Sequence, residues 1–186
     1  MPAANRFVLS GGPGGGKSAL LAALAERGYP VVPESARAII RSRMQAGLAP
    51  RPEPAAFAQA IFQQDAQRYQ QSQNLDTPCF FDRSVVDALY MLHVAGAMDD
   101  AAVAQQCSAY PYNRTVFFLP PWQAIYQTDG ERDQTFSEAQ QVYANLKRWY
   151  LRWGYDVVGV PCCSVPERVA FVLHAVTQAA ERGGAD

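Results

Sequence analysis

The sequence predicts an α/β fold in which a five-stranded parallel sheet carries helices on both faces. Short runs rich in Val and Phe alternate with helical segments along the chain, as expected for buried parallel strands joined by crossover helices. A run of glycines follows the first strand and opens the first helix. The length of 186 residues suits one domain, and no internal repeat divides the chain. We therefore expect a single domain over residues 1–186.

The predicted strands are short apolar runs, and each of them holds at least two Val or Phe residues. They lie at residues 6–10, 29–33, 78–82, 115–119 and 155–160. Parallel strands need crossover connections, which are right-handed in nearly all proteins. This alternation is the basis for predicting one parallel sheet.

Five segments show helical periodicity or helix-starting signals. Ser35 is expected to cap the second helix and Pro54 to open the third. The last two helices follow the tetrapeptides TFSE and SVPE, which are typical of capping boxes. The predicted helices cover residues 17–27, 35–46, 54–73, 136–152 and the stretch from Ser164 to Gly183.

The glycine run GGPGGGKS fits the Walker A pattern G-x-x-x-x-G-K-[ST], which binds nucleoside triphosphates. Glycines let successive backbone N–H groups turn around a phosphate, and the following helix points the positive end of its dipole at the same place. We expect Lys17 to contact the β- and γ-phosphates of ATP and Ser18 to ligate Mg²⁺. The predicted nucleotide-binding residues are Gly11, Gly12, Pro13, Gly14, Gly15, Gly16, Lys17, Ser18 and Ala19.

Two other nucleotide-binding classes fit less well. A dinucleotide-binding loop is disfavoured because Lys-Ser opens the helix and the next strand lacks an acidic residue at the expected ribose position. A GTP-binding switch needs an N-K-x-D motif after the fourth strand, where the chain instead reads FFLPPW.

Two acidic residues end neighbouring strands, where the carboxyl ends of a parallel sheet line a ligand site. Asp82 follows two Phe residues, and we expect it to help hold Mg²⁺; capping the next helix is its alternative role. Glu34 ends the second strand, and we expect it to accept a proton from a substrate hydroxyl. In its alternative role, the negative charge of Glu34 interacts favourably with the positive end of the dipole of the second helix.

Several arginines are candidates for binding phosphate or an anionic substrate. Arg83 is adjacent to Asp82 and is expected to reach a phosphate. Arg37 and Arg41 lie four apart on one helix face and either bind an anionic acceptor or are solvated. Arg132 lies in a polar, glycine-containing segment at about residues 128–136, which is a predicted lid or a plain surface loop. A lid arginine of this kind stabilises charge on a transferred phosphoryl group.

These segments resemble a known family. The stretches GGPGGGKS, ES-AR, FFDRS and FFLPPWQAIYQTDGERDQTFSEA are similar to the small P-loop ATPase/kinase family that includes bacterial nicotinamide riboside kinase domains. The resemblance covers about residues 6–180. It implies a P-loop NTPase fold like that of nucleoside and nucleotide kinases, with Arg132 as the lid arginine.

Composition and charge limit the possible partners, location and cofactors of the protein. A formal net charge of −1 favours neither nucleic acid nor an anionic membrane as partner. No stretch has the form of a signal peptide or a spanning segment, so a cytoplasmic location is expected. The four cysteines form no C-x-x-C pair, which predicts neither a structural metal nor disulfides. No pattern points to a particular oligomeric state.

The sequence thus predicts an ATP- and Mg²⁺-dependent phosphotransferase that acts on a small nucleoside- or nucleotide-like acceptor. The alternative is an NTPase that transfers phosphate to water and regulates a protein partner. The two acidic strand ends and the charged helix at 35–46 favour the kinase.

Overall fold

One parallel sheet forms the centre of the computed structural model, which describes residues 5–72, 76–126 and 135–183. The strand order is β2-β3-β1-β4-β5, and every neighbouring pair is parallel. The strands are β1 (Arg6–Gly11), β2 (Val31–Val32), β3 (Cys79–Asp82), β4 (Thr115–Leu119) and β5 (Asp156–Gly159). The predicted five-stranded parallel sheet is confirmed.

Seven α-helices and one 3₁₀ helix, Gln123–Ile125, are present in the described part of the chain. The α-helices are α1 (Lys17–Glu26), α2 (Ser35–Gln45), α3 (Pro54–Gln71), α4 (Val85–Val94), α5 (Asp100–Ala109), α6 (Phe136–Arg152) and α7 (Val165–Gly183). The sequence reading missed α4 and α5. A signal for α4 was present, because Ser84 and Asp87 form a capping box at its start.

Alternate residues of β1 pack into two apolar cores on opposite faces of the sheet. Val8 contributes to the core that α3, α4 and α6 cover. Phe7 and Leu9 contribute to the core on the other face, which is formed with α1 and α7. Helices therefore cover both faces, as predicted, and the carboxyl ends of the strands are left to form a site.

The connection between β2 and α2 differs from the prediction. β2 has only two residues, because the prolines on either side of it, Pro30 and Pro33, have no N–H to donate to a ladder. Ser35 is not the cap of α2. Glu34 occupies the N-cap position without a side-chain capping bond, and Ser35 is the first helical residue.

No helix within the described ranges combines the length and the apolar character needed to cross a bilayer.

Candidate active site

The glycine-rich loop between β1 and α1 packs so tightly against neighbouring residues that its glycines have no room for a Cβ atom. Gly14 and Gly16 have φ angles of 76° and 77°, in the left-handed region that other residues rarely adopt. A Cβ atom on Gly14 would overlap the ring of Tyr126, and one on Gly16 would lie 2.8 Å from Nη1 of Arg168. The backbone is therefore free to approach a ligand on its inner side, as a phosphate cradle requires.

Arg168 of α7 braces this loop from outside. Its Nη1 donates to the carbonyl oxygen of Gly15 at 2.8 Å, and its Nε donates to that of Pro161 at 2.9 Å. The guanidinium also lies 4.9 Å from the ring centre of Trp122. Only 2% of Arg168 is exposed. Sequence reasoning missed this residue, since a lone arginine late in the chain carries no motif.

Lys17 lies at the start of α1, with its Nζ donating to the carbonyl oxygen of Gly12 at 3.2 Å. Burial and the charge of Arg83 lower the pKa of Lys17 to about 8, although nearby carboxylates, Asp82 and Glu34 among them, act in the opposite direction. The ammonium therefore holds its proton less tightly than an exposed lysine does. An arriving triphosphate would favour the charged form again.

Asp82 ends β3 beside the loop, in register with Leu9 of β1. Its Oδ1 is buried and has no hydrogen-bond partner among the described residues. Burial raises the pKa of Asp82, and the charge of Lys17 opposes that effect. The alternative role as a helix cap is wrong, because Ser84 caps α4. A buried carboxylate oxygen without a partner is suited to ligate a cation.

Glu34 is bound by two guanidinium groups and lines the same cavity as the glycine-rich loop. Its Oε1 accepts from Nε of Arg83 at 3.0 Å, and its Oε2 accepts from Nε of Arg37 at 3.1 Å. Burial raises the pKa of Glu34, but the charges of Arg83, Lys17 and Arg37 together bring it below its usual value. Glu34 is therefore a carboxylate at neutral pH. Arg41, by contrast, is exposed on α2.

A buried hydrogen-bond network fixes Arg83, whose φ of 65° is unusual for a residue with a side chain. Asp87 of α4 accepts from Arg83 Nη1 at 3.3 Å and from the Ser84 N–H at 3.0 Å. The hydroxyls of Ser10 and Tyr150 also bond to Asp87, at 2.5 and 2.6 Å. The network joins β1, α4 and α6 to the turn that carries Arg83. Sequence reasoning missed it because its members are far apart along the chain.

One cavity of about 1070 Å³ connects the predicted site residues. The predicted residues that line it are Pro13, Gly14, Gly15, Gly16, Lys17, Ser18, Ala19, Glu34, Arg37, Asp82 and Arg83. Gly11 and Gly12 are not among the residues that line the cavity. They pack against the backbone of Leu119 and Ala139 respectively. Arg132 and most of the predicted lid lie outside the described residues. The loop, both acidic strand ends and two of the candidate arginines therefore face one shared space.

The sequence matches the protein family described as AAA domain over residues 6–168. The chain belongs to this family. A search of curated protein sequences found no significant match. The AAA domain match contains the glycine-rich loop, both acidic strand ends and Arg168.

Solved structures with a similar fold include kinases of nucleosides and nucleotides. Deoxyadenosine kinase from M. mycoides, solved with the products dCMP and dCDP bound, is 12% identical with a TM-score of 0.65, and the match covers 93% of this chain and 99% of that one. Thymidylate kinase from Candida albicans is 13% identical with a TM-score of 0.58, and the match covers 96% and 93%. The YorR protein from Bacillus subtilis, solved in complex with phosphorylated GDP, is 12% identical with a TM-score of 0.55 over 95% and 98%.

At these identities the likeness establishes the fold of this AAA domain, which is the P-loop NTPase fold of nucleoside and nucleotide kinases. The narrower resemblance to nicotinamide riboside kinase domains stays a prediction.

Proposed function

We propose that this protein is an ATP- and Mg²⁺-dependent kinase that phosphorylates a hydroxyl group of a small nucleoside- or nucleotide-like acceptor. The observation that carries the proposal is the shared cavity, which is lined both by the glycine-rich loop with Lys17 and by the ionised carboxylate of Glu34. The relatives named above, deoxyadenosine kinase and thymidylate kinase, support a reaction of this class.

The residues around the loop fit a triphosphate and its metal ion. Lys17 and the backbone N–H groups at the start of α1 would hold the β- and γ-phosphates. Asp82, with its unpartnered Oδ1, and the exposed hydroxyl of Ser18 would hold Mg²⁺. No cluster of three acidic, His or Cys side chains among the described residues forms a metal site on its own. This agrees with Mg²⁺ sites built from one or two side chains and the phosphates of a substrate. When bound, the ion neutralises charge that develops on those phosphates.

Glu34 would orient the acceptor and take its proton. The acceptor hydroxyl donates a hydrogen bond to the Glu34 carboxylate, and its oxygen forms a bond to the γ-phosphorus of ATP. The bond from that phosphorus to the bridging oxygen breaks, the proton passes to Glu34, and ADP leaves. A carboxylate with a lowered pKa is a weak base, so its larger contribution is to position the hydroxyl. Lid residue Arg132 is proposed to neutralise charge on the transferred group.

The ion pairs favour a hydroxyl acceptor over a phosphate acceptor. Arg83 bonds to Glu34 and Asp87, and Arg37 bonds to Glu34. A phosphate bound through these guanidiniums would share them with the Glu34 carboxylate and bring two anions close together, which is unfavourable. A neutral hydroxyl beside Glu34 adds no second negative charge.

The test is ADP release from Mg²⁺-ATP by the purified protein, measured with nucleosides and nucleoside 5′-monophosphates in turn and with water alone. We expect one acceptor class to raise the rate at least tenfold above the water rate. A rate that no acceptor raises, and that a protein partner does raise, would instead identify the protein as a regulatory NTPase.

A further inference from the structure

The cavity contains a buried carboxyl group, Asp65, which the mechanism above does not use. Asp65 lies on α3, lines the cavity and is 8% exposed. Phe57 and Ile61 precede it at intervals of four residues and line the same cavity, so all three share one face of the helix. On the helix face that lines the cavity, the Asp65 carboxyl therefore follows two apolar side chains.

A directional chain of hydrogen bonds determines what Asp65 presents to the cavity. Nη1 of Arg68 donates to Oγ of Ser35 at 2.9 Å. Because a guanidinium can donate hydrogen bonds but cannot accept them, the Ser35 hydroxyl is the acceptor in this bond. The single hydrogen of that hydroxyl is therefore donated to Oδ1 of Asp65. The second oxygen, Oδ2, makes no hydrogen bond among the described residues. It is left as an acceptor for a donor group in the cavity.

The side chains around Asp65 are apolar. Ile40 of α2 and Ala88 and Met91 of α4 line the cavity together with Phe57 and Ile61. Most of these side chains also form one small apolar cluster. Apolar walls with one placed polar group are the usual composition of a site that orients a small molecule. A ring between these walls would turn its polar edge toward Asp65.

At neutral pH Asp65 is divided between its protonated and ionised forms. Burial raises the pKa of Asp65 to about 7, and Asp87 and Glu34 also raise it, whereas the Ser35 bond and the charge of Arg68 lower it. An N–H group of a ligand would stabilise the ionised form.

We propose that Asp65 selects the acceptor by accepting a hydrogen bond from an amino group on its ring, so that the preferred substrates are nucleoside-type molecules with an amino-substituted base. This inference rests on the proposed kinase function. A base with a carbonyl at the same position would place its oxygen against the Asp65 oxygen and leave both unpaired, which is costly in a buried site.

Matched acceptor pairs test the proposal. Deoxyadenosine and deoxyinosine, and deoxycytidine and deoxyuridine, differ by an amino group in place of a carbonyl. They are assayed for phosphorylation as nucleosides and as 5′-monophosphates. We expect kcat/KM to favour the amino member of each pair by about 10- to 100-fold. The 3′-deoxy analogues form a second arm, since a sugar hydroxyl is the other donor of this kind.

Asp65→Asn is expected to reverse the preference. The Ser35 hydrogen needs an acceptor, so the amide oxygen must face Ser35 and the amide NH₂ must face the cavity, where it favours a carbonyl. Asp65→Ala is expected to lose the discrimination without reversing it. Asp99→Asn makes the same chemical change at an exposed helix cap outside the cavity and is the matched control. It should keep the wild-type preference.

The outcomes separate the two proposals. If wild-type protein phosphorylates acceptors without preferring the amino members, or if Asp65→Asn keeps that preference, the role of Asp65 is overturned and the kinase function stands. Asp65 variants that change only the response to the 3′-deoxy analogues also overturn the amino assignment. If the wild type phosphorylates no acceptor of either kind, the proposed function fails, and the inference fails with it.

Discussion

The Nε atom of Arg83 lies 3.0 Å from Oε1 of Glu34, and this ion pair joins the segments that follow the neighbouring strands β2 and β3. Asp87 holds the same arginine from the other side, at 3.3 Å. The position of Glu34 is therefore set by a residue in a strained backbone conformation, which the buried network of Asp87 stabilises. A carboxylate fixed in this way is suited to orient a hydroxyl group for transfer.

Lys17→Ala is expected to abolish ATP turnover, because no other cation is placed to neutralise the β- and γ-phosphates from the start of α1. The fold should survive, since the single hydrogen bond of the Lys17 ammonium within the described part of the chain is to the carbonyl oxygen of Gly12. The measurements are ATPase rate and thermal unfolding. Lys147→Ala is the matched control, because Lys147 is exposed on α6 and is the other lysine in the chain. Wild-type turnover in folded Lys17→Ala protein would contradict the nucleotide site.

ATP affinity is expected to fall as the pH rises above about 8. The pKa of Lys17 in the ligand-free protein is lowered to about 8, so the ammonium loses its proton above that pH, and binding must then restore it. The weakening approaches about tenfold in Kd per pH unit. Titrations of ATP at pH 7, 8 and 9 measure it, and the Lys17→Met variant should lack this dependence. A Kd that stays constant over this range would show that Lys17 keeps its charge.

The backbone pattern and local motifs were sufficient to predict the sheet, the glycine-rich loop and the positions of Glu34 and Asp82 at strand ends. These features depend on residues close together in the chain. Arg37 and Arg83 were predicted as ligands for phosphate or an anionic acceptor. Their ion pairs with Glu34 depend on tertiary structure, which sequence spacing does not reveal.

The features that the sequence did not predict are buried polar contacts between distant segments. Asp65 lies within a predicted helix but belongs to no motif, and its partner Ser35 is 30 residues away. Ser35 was predicted to cap α2, but its hydroxyl is used by Asp65 and Arg68 instead. Arg168 meets Gly15 across 153 residues. Such contacts require the fold before they can be recognised.

Arg132→Ala is expected to spare ATP binding while lowering kcat by about 10²- to 10⁵-fold, if the arginine acts only on the transferred phosphoryl group. ATP Kd and single-turnover rates distinguish the steps. Arg148→Ala, at an exposed position on α6, is the control. Equal losses in ATP binding and turnover would mean that Arg132 already contacts the phosphates in the ground state.

Asp65→Asn is expected to stabilise the protein more at pH 8 than at pH 5. The folded-state pKa of Asp65 is raised to about 7 from an ordinary value of 3.8, mainly by burial. The folded protein therefore binds more protons than the unfolded chain between these values, and stability falls as the pH rises through this window. Asparagine does not titrate, so its Tm advantage should grow by about 5 °C from pH 5 to pH 8. Asp99→Asn, at an exposed carboxyl, should show no such growth.

Substitutions of the two acidic strand ends are expected to separate metal binding from acceptor activation. Asp82→Asn should weaken the dependence on Mg²⁺ and lower both acceptor phosphorylation and background ATP hydrolysis, because both reactions use the same triphosphate site. Glu34→Gln should lower acceptor phosphorylation by about 10²- to 10⁴-fold. Slow hydrolysis by water should persist in this variant, since the glycine-rich loop and Asp82 remain.

The measurement is ATPase rate with and without the best acceptor for both variants, across a Mg²⁺ titration. Glu53→Gln is a matched control for Glu34→Gln, because Glu53 is a helix cap at the exposed rim of the same cavity. In a regulatory NTPase the contrast between the two variants would vanish, since no acceptor would depend on Glu34. If Glu34→Gln leaves acceptor-dependent turnover unchanged, Glu34 does not take the proton, and positioning by Arg83 and the metal must account for the transfer.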